Sequence, residues 1–289
     1  MAAAVSETGG LGLITAGTYK DAAALKAEIA VARQLTQKPF GVNITLGTRR
    51  PMDEFFAACV EEGIKIIITS GRNPEKFVPM LKDNGIIFVH VVTAVRHGLK
   101  AQGLGADAVV MVGCEAGGHP GMDDVSLTSL IPKAVDTLKI PVIAAGSITD
   151  GRGLASALCL GAQGVQMGTR FLVTKESPAH ENVKSAIIQA NENDTIMIER
   201  SFRNARRVLK TPLSQWVLAK ETEGASFEEL KEAIGGEAYI QVMAQGLLDK
   251  GVLTMGQGSG NIHDIPTVQE VIDRIVSQAN AVLAANNCL

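Results

Sequence analysis

Seven short apolar runs recur along the chain at a nearly constant interval, and that interval leaves few folds open. They cover residues 11–16, 40–44, 64–69, 86–92, 108–112, 141–145 and 164–167, with centres about 28, 25, 22, 22, 32 and 23 residues apart. Between them lie amphipathic stretches with helical periodicity, among them 22–35, 52–62, 74–84 and 126–138. Strand and helix alternating at this pace mean a parallel sheet with helical crossovers. The period is that of a (β/α)8 TIM barrel, a fold of roughly 200–250 residues. An open doubly wound sheet is the alternative, but no G-x-G-x-x-G follows the first strand. The chain opens on a helical run, 1–8, closed by Gly9-Gly10, where a barrel would begin with a strand. The first strand is therefore expected to be missing from this chain, with roughly 20 more residues expected before Met1.

After Thr169 the rhythm breaks. Residues 171–250 are richer in charge and read as helices at 182–190, 201–210, 214–221 and 227–234. They predict a small helical lid domain (171–250) inserted in a barrel made of 1–170 and 251–289, whose last helix covers 267–285. Composition closes off other classes. With 27 basic and 30 acidic residues the net charge is −3, and nothing points to nucleic acid or an anionic membrane surface. No apolar run approaches the roughly 18–20 residues of a membrane span, and no secretory signal is visible. The four cysteines (Cys59, Cys114, Cys159, Cys288) are scattered without C-x-x-C spacing. They read as reduced thiols of a cytoplasmic protein with no metal site.

In a barrel of this kind, ligands sit at the C-terminal ends of the strands. The fifth run ends in Gly113-Cys114-Glu115-Ala116-Gly117-Gly118-His119-Pro120-Gly121, four glycines around one carboxylate and one imidazole. Such a loop lets backbone approach a flat ligand closely, and its imidazole can exchange protons near neutral pH. The next two runs end in Ala144-Ala145-Gly146-Ser147 and Gln166-Met167-Gly168-Thr169. Each offers a glycine N–H and a neighbouring hydroxyl to a phosphate. Asn43 closes a buried strand where an amide is unusual and is expected to bond a ligand. His90 lies on a strand, where a core role and a ligand role are equally open. His97, His180 and His263 read as surface or capping residues, and Lys65 as edge-facing. The basic cluster Arg203, Arg206 and Arg207 is a candidate dock for a phosphorylated or CoA-type substrate, or else a solvated helix face.

Taken together, Val5-Ser6-Glu7-Thr8-Gly9-Gly10-Leu11-Gly12, Gly41-Val42-Asn43, the 113–119 loop, 140–146 and Val165-Gln166-Met167-Gly168-Thr169-Arg170-Phe171 resemble the nitronate monooxygenases. The closely related flavin-dependent enoyl-ACP reductases share these motifs. The resemblance implies an FMN enzyme with His119 as the catalytic imidazole. It places Asn43 and Gly117 by the flavin ring. Gly146, Gly168 and Thr169 would hold the phosphate, with Gln166 and Met167 beside them. Two positions depart from the pattern. Val112 replaces a glutamine common in relatives, and Ser147 replaces the usual second glycine of the Ala-Ala-Gly-Gly turn. The implied reaction is oxidation of an alkyl nitronate with O2 to a carbonyl product and nitrite. The alternatives are NAD(P)H-dependent enoyl-ACP reduction, NAD(P)H:quinone reduction, and FMN binding without turnover. The expected partner is a small-molecule substrate, and a homodimer is compatible with the reading.

Overall fold

The computed structural model describes residues 1–47 and 50–285; Cys288 lies outside them. Seven strands form one parallel sheet in sequence order: β1 (Gly12–Thr15), β2 (Phe40–Leu46), β3 (Ile66–Gly71), β4 (Ile87–Val92), β5 (Ala108–Val112), β6 (Val142–Ala145) and β7 (Gly164–Gln166). Helices separate them, including Ala22–Leu35, Asp53–Glu61, Val95–Gly103, Leu127–Thr137 and Gly151–Cys159. This is the TIM-barrel class that the spacing predicted, with seven sheet strands among the described residues. Two helix starts follow from sequence. Asp21 accepts a hydrogen bond from Ala24 N at 2.8 Å, and Asp150 accepts from Arg152 N at 2.9 Å and Gly153 N at 3.2 Å.

The chain divides into two compact units, Met1–Met111 with Pro132–Ile143, and Val112–Ile131 with Ala144–Leu289. In the first, register assigns every side chain to a face of the sheet. Ile44, Thr69 and His90 stand abreast on β2, β3 and β4, and Asn43, Ile68 and Val89 stand abreast one residue earlier. Successive residues of a strand point to opposite sides, so these two rows face opposite ways. Ile44, Thr69 and His90 are all buried, whereas Asn43, Thr45 and Ser70 are only half-buried. The polar row with solvent access is thus the one that carries Asn43. Ile44, Ile67 and Phe88 are fully buried and anchor the opposite face. Burying each such side chain stabilises the fold by about 1.5–3 kcal/mol.

The second unit contains the stretch 171–250, and there the structure corrects the sequence reading. Residues 201–210 are not a helix. They belong to a hairpin, β8 (Thr195–Ile198) and β9 (Arg206–Leu209), paired antiparallel. The pattern Thr-Ile-Met-Ile against Arg-Arg-Val-Leu favours strands through its β-branched residues. Its connection turns through left-handed backbone at Glu199 (φ 63°) and Arg203 (φ 54°), which no helix accommodates. Helices Glu181–Gln189, Pro212–Thr222 and Phe227–Ile234 match the expectation, and the structure adds a further helix, Gly236–Gln245. Ile198, Val208, Val217, Leu230, Ile234 and Val252 form one core cluster here. Reciprocal capping boxes at Thr211/Ser214 and Ser226/Glu229 start two of its helices.

Candidate functional site

The second unit gathers its glycine-rich segments by direct backbone contact. The ladder between β5 and β6 runs one step past the strand, with Gly113 N donating to Ala145 O at 3.0 Å. Beyond it, the carbonyl of Glu115 accepts from Gln257 N at 3.0 Å and from Ser147 Oγ at 3.1 Å. Ser147 Oγ in turn accepts from Gly258 N at 2.9 Å, and Thr169 Oγ1 accepts from Gly256 N at 3.2 Å. Three loop ends and the 255–260 segment are thereby stitched together. Glycine is required where they cross. A Cβ on Gly117 would lie 2.5 Å from the Met255 carbonyl carbon, and one on Gly258 would lie 2.7 Å from Ser147 O. Packing inside the protein therefore accounts for Gly117. Ser147 sits at φ 49°, where a side chain costs about 1–2 kcal/mol. Its two hydrogen bonds to the neighbouring loops offset that cost, which explains how a serine stands in place of a glycine.

Gly168 is different. It has φ −116°, and a Cβ there would meet no atom within 4 Å. Among the described residues nothing demands glycine at this position, and the space in front of it is open. A Cβ on Gly146, at φ 137°, would lie 3.4 Å from the Ala116 Cβ. The helix that follows Gly168, Thr169–Leu172, has only four residues. A phosphate there would be held by individual N–H groups more than by a macrodipole. Gln166 and Met167 are half-buried at the end of β7. Glu115 was not singled out from sequence. One of its carboxylate oxygens accepts from Leu127 N at 3.0 Å, and the other, Oε2, is buried with no hydrogen-bond partner.

His119 is fixed by the hairpin. Gly118 and Arg207 form an antiparallel bridge, with Arg207 N donating to Gly118 O at 2.7 Å and Gly118 N donating to Arg207 O at 3.2 Å. One residue on, His119 Nδ1 lies 3.2 Å from the carbonyl oxygen of Asn204. A carbonyl only accepts, so Nδ1 carries the hydrogen. The residue is exposed, yet protein atoms close to the ring desolvate it and hold the imidazole below its ordinary value of 6.5. Arg206 adds to the depression, while Glu199 and the backbone carbonyls of Asn204 and Ala205 oppose it. The depression favours the neutral ring, which with its hydrogen on Nδ1 carries a lone pair on Nε2.

The other expected site residues fall as follows. In the first unit, the Asn43 side chain donates from Nδ2 to Ile68 O at 3.2 Å, and Thr45 Oγ1 donates to Asn43 Oδ1 at 3.4 Å. His90 is a core histidine, 7% exposed, with Nδ1 2.7 Å from Thr69 Oγ1. His180 caps a helix by accepting from Asn182 N. The basic cluster is not a docking surface. Arg206 is buried and ion-paired to Glu199, and buried Arg207 donates to Cys114 O at 2.9 Å and to Thr195 Oγ1 at 3.0 Å. Only Arg203 is exposed. Among the described residues no group of three or more His, Cys, Asp or Glu side chains could hold a metal, and no helix is long and apolar enough to cross a membrane.

Parallel strands alternating with helices place the chain in the TIM-barrel class, with glycine-rich loops and His119 following the ends of its later strands. The nitronate monooxygenase family model matches residues 1–278, and the chain belongs to that family. A probable nitronate monooxygenase of Staphylococcus aureus is 30% identical, covering 98% of this chain and 91% of its own length. A (3aS,4S,5R,7aS)-5-hydroxy-7a-methyl-1-oxo-octahydro-1H-indene-4-carboxyl-CoA dehydrogenase of Mycobacterium tuberculosis is 31% identical, covering 96% and 88%. Among solved structures, FabK from Thermotoga maritima superposes with a TM-score of 0.93 at 37% identity, over 98% of this chain and 89% of that one. A nitroalkane oxidase from Streptomyces ansochromogenes shares the fold, with a TM-score of 0.81 at 23% identity over 98% and 92%. The protein is an oxidoreductase of the nitronate monooxygenase and FabK type.

Proposed function

We propose that the chain is an FMN-dependent oxidoreductase that oxidises alkyl nitronates and their parent nitroalkanes to a carbonyl product and nitrite. The observation that carries this reading is the state of His119. Its Nδ1–H is committed to the Asn204 carbonyl and its pKa is held down, so Nε2 is a proton acceptor at neutral pH. A neutral imidazole suits removal of the acidic proton next to a nitro group. The open space before Gly168, where an added Cβ would meet no described atom within 4 Å, suits a phosphate. Gly146, Gly168 and Thr169 would hold that phosphate, and Gln166 and Met167 would flank it. Gly117 and Asn43 are placed by the flavin ring by resemblance alone. Bound FMN supplies the electron transfer; the protein supplies position and the proton acceptor. The insertion 171–250 is proposed to act as a domain over the site, since its hairpin holds His119.

A second reading is reduction of an enoyl thioester by NAD(P)H. The 37% identity to FabK and the carboxyl-CoA dehydrogenase among the relatives favour it. In that reaction His119 would need to give a proton rather than take one. The test is to purify the protein, record its visible spectrum, and assay propionate-3-nitronate and nitroethane with O2 beside crotonyl-CoA with NAD(P)H. A yellow protein that consumes O2 and releases nitrite supports the first reading. NAD(P)H-dependent loss of the enoyl thioester without nitrite chemistry overturns it. Gly168→Val is expected to release the flavin while the fold survives; a fully yellow variant would place the phosphate elsewhere.

A further inference from the structure

The turn between β8 and β9 holds a buried carboxylate that no step above uses. Glu199 is 3% exposed and stands in left-handed backbone, φ 63°, which disfavours any residue but glycine. Its own side chain explains its presence. Oε2 accepts from Asn204 Nδ2 at 2.8 Å, and Oε1 lies 2.5 Å from Arg206 in an ion pair. Asn204 N also donates to Glu199 O at 3.1 Å, so Asn204 is gripped at both its backbone and its amide. From the other side, the Glu221 carboxylate accepts from Glu199 N and from Ser201 N, both at 2.7 Å, fixing the start of the turn. Arg206 is completed by a hydrogen bond to Ile234 O at 2.9 Å. The product of this chain of contacts is one carbonyl, Asn204 O, held 3.2 Å from His119 Nδ1.

We propose that Glu199 is a positioning residue for His119: by clamping Asn204 it keeps that carbonyl on Nδ1 and so reserves Nε2 as the proton acceptor. The inference rests on the reading of His119 as a base. A hydrogen bond at one ring nitrogen decides the tautomer at the other. A buried charge is retained in an unfavourable backbone geometry only where several contacts over-determine it. The charged groups around the ring are Arg206 on β9 and Glu199 in the turn. Tyr239 from the helix Gly236–Gln245 acts on Arg206, and Glu221 from the helix Pro212–Thr222 acts on the Glu199 backbone.

The test compares Glu199→Gln, Asn204→Ala and the double variant as flavin-loaded proteins, reading the His119 tautomer by ¹⁵N NMR beside steady-state kinetics. Wild type is expected to show the Nδ1–H tautomer. Each single variant is expected to admit the Nε2–H form and to lower kcat about 10-fold, with KM moved less than about 2-fold. Glu199→Gln also removes a charge that favours imidazolium, so the acid limb of its rate profile moves to lower pH. Because both residues act through one contact, the double variant is expected to be no worse than either single. Unchanged tautomer and kcat in folded Glu199→Gln, or effects that add in the double variant, would overturn the proposal. Should Glu199→Gln fail to fold, Asn204→Ala alone decides it by the tautomer. The NMR readout does not depend on turnover, so a wild-type protein with the expected tautomer but no nitronate activity would sink the functional reading and leave the clamp standing.

Discussion

His90 and His119 are both pushed toward the neutral form by desolvation, and they sit in opposite settings. On β4, burial lowers His90 to about 4; its Nδ1 meets Thr69 Oγ1, and only 7% of the residue reaches solvent. His119, on the loop after β5, is also lowered by desolvation from nearby protein atoms, but the residue is exposed and its bonded nitrogen faces a backbone carbonyl. A perturbed imidazole marks a reactive site only when one nitrogen is oriented by the protein and the other is left accessible. Burial alone makes a structural histidine.

The largest expected effect tests the accessible member. His119→Ala is expected to keep the flavin and lower turnover by roughly 10²–10⁴-fold, the usual worth of a general acid–base group. Unchanged turnover in a folded, yellow variant would erase the distinction between the two rings.

The buried member is expected to appear in stability instead. A pKa near 4 in the folded protein against 6.5 unfolded means that the unfolded chain binds the extra proton first. Stability is therefore full above about pH 6.5 and falls by about 3 kcal/mol as pH drops through 4. His90→Gln is expected to flatten that window in urea titrations at several pH values while leaving turnover at neutral pH unchanged. A pH dependence as steep as that of wild type would move the titrating group elsewhere. A smaller effect is expected from Thr69→Val, which strips His90 of its partner and costs about 1–3 kcal/mol at neutral pH by equilibrium unfolding. A neutral result would mean that the ring is satisfied by other contacts.

The repeating part of the fold was legible because strand spacing reports a parallel sheet directly: β5 covers the residues read for it, and β2, β3, β4, β6 and β7 shift by two residues or fewer at either end. The hairpin was not. Ser201 to Lys210 mixes charged and apolar residues at a spacing that also suits a helix, and the left-handed turns at Glu199 and Arg203 leave no mark in residue type. His119 could be picked out by its loop, but Asn204 lies 85 residues away, beyond any local pattern. The arginine cluster misled for a related reason. Strand alternation and ion pairing bury Arg206 and Arg207, whereas sequence shows only their charge. Gly117 and Gly168 look alike in sequence and differ in cause, one filled by neighbouring backbone and the other facing open space.

The central claim is that His119 works as a neutral base, and the pH dependence of kcat/KM for neutral nitroethane tests it most directly. Protonation removes the base, so the rate is expected to fall on the acid side with an apparent pKa below 6.5, and that limb is expected to be absent from the residual activity of His119→Gln. An acid limb at or above 6.5, or the same limb in the variant, would contradict it.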